Sequence, residues 1–118
     1  MLIGSERDFE FKIIISRPFQ KTMEKIREQQ LKRRIYECIS MLARGFHEWK
    51  SLSAKKIDVG DSCRSIRAAR VNDQMRILFE GPIETRRFGR ILFIHDVCDH
   101  DGYIQTIRLI AGAELNRP

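Results

Sequence analysis

Apolar residues first recur with a period of two. Phe9, Phe11, Ile13 and Ile15 alternate with Glu10, Lys12 and Ile14, which predicts a strand over 9–15. From Phe19 the spacing turns helical: Phe19, Met23 and Ile26, then Leu31, Ile35, Ile39, Leu42 and Phe46. Ser16 and Pro18 suit a helix start, and Gly45 suits a helix end. The stripe slips between Ile26 and Leu31. This predicts two helices folded as a hairpin and broken near Glu28–Gln30, although no Gly or Pro marks the break. Phe46 and Trp49 both fit the helix-packing stripe, leaving little exposed aromatic surface there.

Residues 50–62 are polar, with Gly60-Asp61-Ser62 as a turn signal. Three strand-like runs follow at 64–71, 75–80 and 90–98. Asn72-Asp73-Gln74 joins the first two as a tight hairpin, and Gly81-Pro82 opens a longer basic connection. Ile91-Leu92-Phe93-Ile94 is apolar on both faces, which predicts a central strand. The tail, 104–113, fits a last strand or a short helix. This order predicts an α+β fold in one domain of 118 residues. Its elements are an N-terminal strand, a helix hairpin and an antiparallel three-strand meander, forming one sheet with the helices on one face.

Charge changes the picture. Lys plus Arg number 22 against 16 Asp plus Glu, giving +6. Such a balance suits nucleic acid, an acidic protein segment or an anionic surface. Every Lys lies at or before Lys56, and nine Arg follow it. Arg presents a planar fork that suits phosphate and stacks on bases. No apolar run approaches the ~20 residues of a membrane span. The first residues lack the layout of a signal peptide, so the expected location is cytoplasmic with no membrane partner. Cys38, Cys63 and Cys98 are odd in number and widely spaced. That disfavours a disulfide framework or a structural zinc site and predicts reduced, mostly buried thiols.

Strand parity carries the first functional reading. Ala69, Val71, Met75, Ile77 and Phe79 alternate onto the side facing the helices. Arg70, Arg76 and Leu78 then point away, toward solvent or a groove. Two Arg flanking a tight turn on one exposed face make a phosphate clamp. The competing reading is surface ion pairing with Glu80 or Asp96, worth little. A rival site is the run His95-Asp96-Val97-Cys98-Asp99-His100-Asp101, dense in potential metal ligands. On a strand His95 and Cys98 point to opposite faces, while Asp99 to Asp101 sit in the following turn, where they can converge. No His-Glu-x-x-His spacing occurs, and no metal or other cofactor is assigned.

The run Arg70-Val71-Asn72-Asp73-Gln74-Met75-Arg76-Ile77-Leu78-Phe79 resembles a hairpin of HigB-like members of the RelE/ParE toxin superfamily. The element order is similar too. Lys55 and Lys56 resemble the lysine-bearing segment before that hairpin, and His100 with Tyr103 resembles the family's His-x-x-Tyr ending. Met75 stands where an aromatic is usual, and Ala68 where many members carry another Arg. The resemblance covers about residues 9–105 and is specific only at the hairpin.

The resemblance implies the toxin of a type II toxin–antitoxin pair, held by a cognate antitoxin. RelE-like members cleave mRNA in the ribosome and so inhibit translation. In-line attack of a ribose 2′-OH on its own phosphodiester needs proton removal, stabilisation of the charged phosphorane and a proton for the leaving oxygen. Arg70 and Arg76 would stabilise the charge, and His100 would serve as acid or base. Tyr103 would stack on a base or donate a proton. Lys55, Lys56, Arg67, Arg86 and Arg87 would hold the RNA backbone. Two alternatives stay open: a non-enzymatic toxin of the same fold binding a protein such as DNA gyrase, and a non-toxic basic nucleic-acid-binding module.

Overall fold

The computed structural model describes residues 9–57, 65–99, 102 and 105–110. Strand β1 (Lys12–Ile15) leads into helix α1 (Arg17–Lys25). Ser16 caps that helix: its Oγ accepts from Phe19 N–H at 3.1 Å and donates to the His95 carbonyl at 2.6 Å. One hydroxyl thus starts the helix and ties it to a distant strand. Phe19 and Met23 form the buried stripe of α1.

Helix α2 (Gln29–Arg44) buries Ile35, Cys38, Ile39, Leu42 and Ala43 on one side. The break between the helices falls at residues 26–28, slightly before the expected place. Ile26 and Glu28 adopt extended backbone there, so the chain leaves the helix without Gly or Pro. Gly45, at φ 141°, ends α2 in a conformation that favours glycine, and α3 (Phe46–Trp49) follows at once. Trp49 is buried, and its Nε1–H donates to the Leu42 carbonyl at 2.9 Å. Phe46 is 48% exposed, contrary to its expected place in the packed stripe. Gly45 turns the chain between them, so the earlier helical phase no longer applies to Phe46. A 3-10 turn over Lys50–Leu52 completes the helical half.

The remaining strands are β2 (Lys55–Lys56), β3 (Ile66–Arg70), β4 (Met75–Thr85) and β5 (Gly89–Asp99). They form a five-stranded sheet in the order β1-β5-β4-β3-β2. The fold is α+β as expected, but the sheet is mixed: β1 pairs with β5 in parallel, and all other pairs are antiparallel. The helices supply the crossover that a parallel pair needs. β5 is flanked on both sides, which fits its run of apolar residues.

The expected connection at Gly81-Pro82 is instead the middle of β4. The register with β5 slips between Glu80 and Ile83, and this irregularity accommodates a proline inside a strand. Gly81 is required there: a Cβ would sit 2.8 Å from the Ile91 carbonyl oxygen, and φ is 127°. The connection proper is the short turn at 86–88. In the tail, residues 105–110 are helical.

The core lies between the helices and one sheet face. Phe19, Met23, Ile35, Leu42 and Trp49 pack with Ala69, Ile77, Phe79, Leu92 and Ile94. Ala69, Val71, Ile77 and Phe79 therefore face the helices, as parity predicts. Leu78 departs from expectation. It alternates out of that cluster yet is fully buried, as is Ile66, while Ala68 beside it is 8% exposed. Ile66, Ala68 and Leu78 are thus buried on the second face as well. Among the described residues, no helix is long and apolar enough to cross a membrane.

Candidate functional site

The turn between β3 and β4 is built by its own polar groups. Asn72 Oδ1 accepts from the backbone N–H of Gln74 and Met75, both at 2.8 Å, and Val71 N–H donates to the Met75 carbonyl at 3.0 Å. Helix α2 holds the turn from behind. Arg34 Nε donates to the Val71 carbonyl at 3.2 Å, and Arg34 is itself paired with Glu37 at 2.7 Å. Arg34 is a positioning residue that strand parity could not reveal, because it comes from another element.

This turn sets Arg70 directly across from Arg76. Like charges at opposed positions repel, so each guanidinium needs acceptors nearby. Arg76 Nη1 donates to the Asn72 carbonyl at 2.7 Å and to the Met75 carbonyl at 3.0 Å. Arg70 is ion-paired with Asp73 and remains 49% exposed. Neither expected partner is used: Glu80 binds His95 at 2.8 Å, and Asp96 Oδ1 accepts from Thr22 Oγ1 at 2.8 Å.

Lys55 on β2 pairs with Ala68 on β3, so alternation brings Lys55, Ala68 and Arg70 to one side. With Ser53 and Arg76 they line a hollow of about 230 Å³. The small Ala68 side chain leaves this space open between three cations. Ser53, in the left-handed region at φ 50°, closes the rim. The Lys55 side chain has no hydrogen-bond or ion-pair partner among the described residues. Three converging positive side chains and a small floor suit an anionic group such as a phosphodiester.

The other candidates separate. Lys56 pairs with Arg67, on the opposite parity. The Arg67 guanidinium lies 5.3 Å from the Trp49 ring centroid, and its Nε approaches the Gly81 carbonyl at 3.4 Å. Arg67 therefore packs on the helix side, outside the hollow. Arg86 and Arg87 occupy the 86–88 turn, at the far end of β4 and ~30 Å from Arg76 by strand rise. Arg87 leans over the Phe88 ring at 5.4 Å. His100 and Tyr103 lie outside the described residues. β5 ends at Asp99, paired with Met75 beside Arg76, and His100 is the next residue in the chain.

Cys98 faces Arg76 across the β4–β5 pair. Burial, chiefly, with help from Asp96 and Asp99, pushes its thiol up to about 11, against the lowering effects of Thr106 and Arg76. At neutral pH it is therefore protonated. Cys38 is buried and also raised, mainly by burial. Among the described residues, no three His, Cys, Asp or Glu side chains converge as metal ligands would. Compared with known protein families and with curated proteins, the chain matches none.

Proposed function

We propose that this chain is a RelE/ParE-like toxin of a toxin–antitoxin pair, an endoribonuclease that cleaves mRNA at the ribosome and inhibits translation. The observation that carries the reading is the convergence of Lys55, Arg70 and Arg76 around one hollow. The hairpin that builds it, Arg70 to Phe79, is the segment resembling HigB-like toxins.

In this reading the scissile phosphodiester sits between Arg70 and Arg76. The ribose 2′-oxygen attacks the phosphorus as its proton leaves. The phosphorane charge falls to the two guanidinium groups, held in place before the reaction begins. The 5′-oxygen departs with a proton, leaving a 2′,3′-cyclic phosphate. His100 takes the 2′-hydroxyl proton, and the leaving 5′-oxygen receives one either from the protonated His100 or from Tyr103, which otherwise stacks on a base. Lys55 holds the adjoining phosphate, and Arg86 and Arg87 touch RNA only remotely. The chemistry uses side chains alone and calls on no metal. A cognate antitoxin would hold the protein inactive.

The test is induced expression in a bacterial host, with mRNA ends mapped by primer extension. Growth arrest with new 5′-hydroxyl ends inside coding sequence is expected. Unchanged growth and intact mRNA at high soluble expression would remove the toxin reading.

A further inference from the structure

Every charged side chain lining the hollow beside Arg70 is basic. Lys55, Arg70 and Arg76 supply the charge, Ser53 and Ala68 fill the places between them, and no acid is among the lining residues. Asp73 pairs with Arg70 from the turn, outside that lining, and is 87% exposed. Much of the donor capacity is unspent. Arg76 bonds through Nη1 alone, to the Asn72 and Met75 carbonyls, and Arg70 bonds through Nη2 alone. A guanidinium carries five N–H donors, so most of each fork meets no acceptor among the described residues. The same holds for the Lys55 ammonium and the Ser53 hydroxyl.

Three cations with this many open donors exceed what a single phosphodiester takes up, since a diester brings one negative charge. A terminal phosphate brings more charge and three strong acceptor oxygens, and a diphosphate group more again. Room agrees with charge. The hollow of about 230 Å³ holds roughly eight waters by liquid volume, which suits a diphosphate group and is too small for a whole nucleotide. Ala68 keeps that room. It lies across from Lys55 on one side and Leu78 on the other, and a branched side chain there would occupy the floor. No aromatic ring lines the hollow, so nothing in it would grip a base.

We infer that this hollow is a binding site for a diphosphate group, either free pyrophosphate or the diphosphate of a nucleotide, and that its occupant keeps RNA from the two arginines. One phosphate would lie between Arg70 and Arg76, and the other would reach Lys55 and the Ser53 hydroxyl. The exclusion of RNA rests on the ribonuclease reading of the same hollow. The anion site itself does not, because it needs only the charge, the donors and the space.

The probe is inorganic pyrophosphate, titrated calorimetrically into the full chain at constant ionic strength with a chelator present. One molecule per chain is expected, with inorganic phosphate binding at least ~10-fold more weakly. Lys55→Ala, at an exposed position, should weaken pyrophosphate ~10-fold by removing a charge, and Ala68→Val should do the same by filling the floor. Lys32→Ala removes a charge from α2, outside the hollow, and should change binding less than ~2-fold. Equal weakening by Lys32→Ala and Lys55→Ala would overturn the inference, as would unsaturable binding of several equivalents or phosphate binding as tightly as pyrophosphate. Titration with ADP separates the sources: tighter binding than pyrophosphate identifies a nucleotide, weaker binding the free anion. Saturating pyrophosphate should also stop RNA cleavage by the wild-type chain at constant free magnesium, and undiminished cleavage would contradict the shared site. A chain that binds pyrophosphate but cleaves no RNA would remove the ribonuclease reading and leave the anion site standing.

Discussion

The two turns that end β4 both carry a pair of arginines, yet they differ in kind. At 71–74, Asn72 fixes the turn, its carbonyl holds Arg76, Asp73 holds Arg70, and Arg34 braces the loop from α2. At 86–88, Thr85 Oγ1 closes the turn by accepting from Phe88 N–H at 3.0 Å. Arg86 and Arg87 have no hydrogen-bond or ion-pair partner among the described residues. Both turns offer positive charge, but only the first offers it in a set direction. Charge alone attracts a polyanion, while oriented donors can favour one charge distribution over another. In the proposed reading, the first turn would recognise a transition state and the second would only attract RNA.

The largest expected effect is at Arg76. Arg76→Ala should lower single-turnover cleavage by ~100-fold with little change in binding, the scale of losing one oriented donor. Arg76→Lys should restore only part, because the charge returns without the planar fork. Asn72→Ala should come next. Losing a side-chain acceptor for two turn amides should cost ~1 kcal/mol in a denaturant melt and slow cleavage ~10-fold by loosening both arginines. A variant that melts earlier but cleaves normally would show that turn order is irrelevant to the chemistry.

Cys98 gives a comparable effect by another route. A thiol raised to about 11 holds ~100-fold less thiolate at pH 8 than an ordinary one, partly offset by its greater nucleophilicity. Alkylation of Cys98, followed by peptide mass spectrometry, should therefore run ~10-fold slower than in the unfolded chain. The sign fixes a pH dependence as well. The folded state keeps the thiol proton more tightly, so this stabilisation holds below pH ~9 and fades as pH climbs toward 11. Lys55→Ala should weaken RNA binding and reduce the slope of log affinity against log salt by ~1, because one phosphate contact is lost. The smallest effect on rate belongs to Arg86→Ala with Arg87→Ala, which should alter binding and salt dependence but change single-turnover cleavage less than ~3-fold.

Local periodicity made much of this arrangement legible. Two-residue alternation placed Ala69, Val71, Ile77 and Phe79 toward the helices and Arg70 with Arg76 on the other side. Helical spacing located α1 and α2. What stayed hidden depends on pairing between distant segments. Lys55 and Lys56 looked equivalent in sequence, and only their pairing with Ala68 and Arg67 sends them to opposite sides. Arg67 looked like one more RNA contact until the Trp49 ring lay beneath it. The parallel pairing of β1 with β5, the passage of β4 through Gly81-Pro82 and the burial of Leu78 are likewise tertiary facts. No local pattern encodes them.

The most direct test sets the two turns against each other. Single-turnover cleavage of ribosome-bound mRNA would be measured for folded Arg76→Ala and for the folded Arg86→Ala, Arg87→Ala double variant at saturating protein. A rate ~100-fold below wild type for the first, and within ~3-fold of wild type for the second, is predicted. Equal rates in the two variants, or a wild-type rate from Arg76→Ala, would contradict the oriented arginine site.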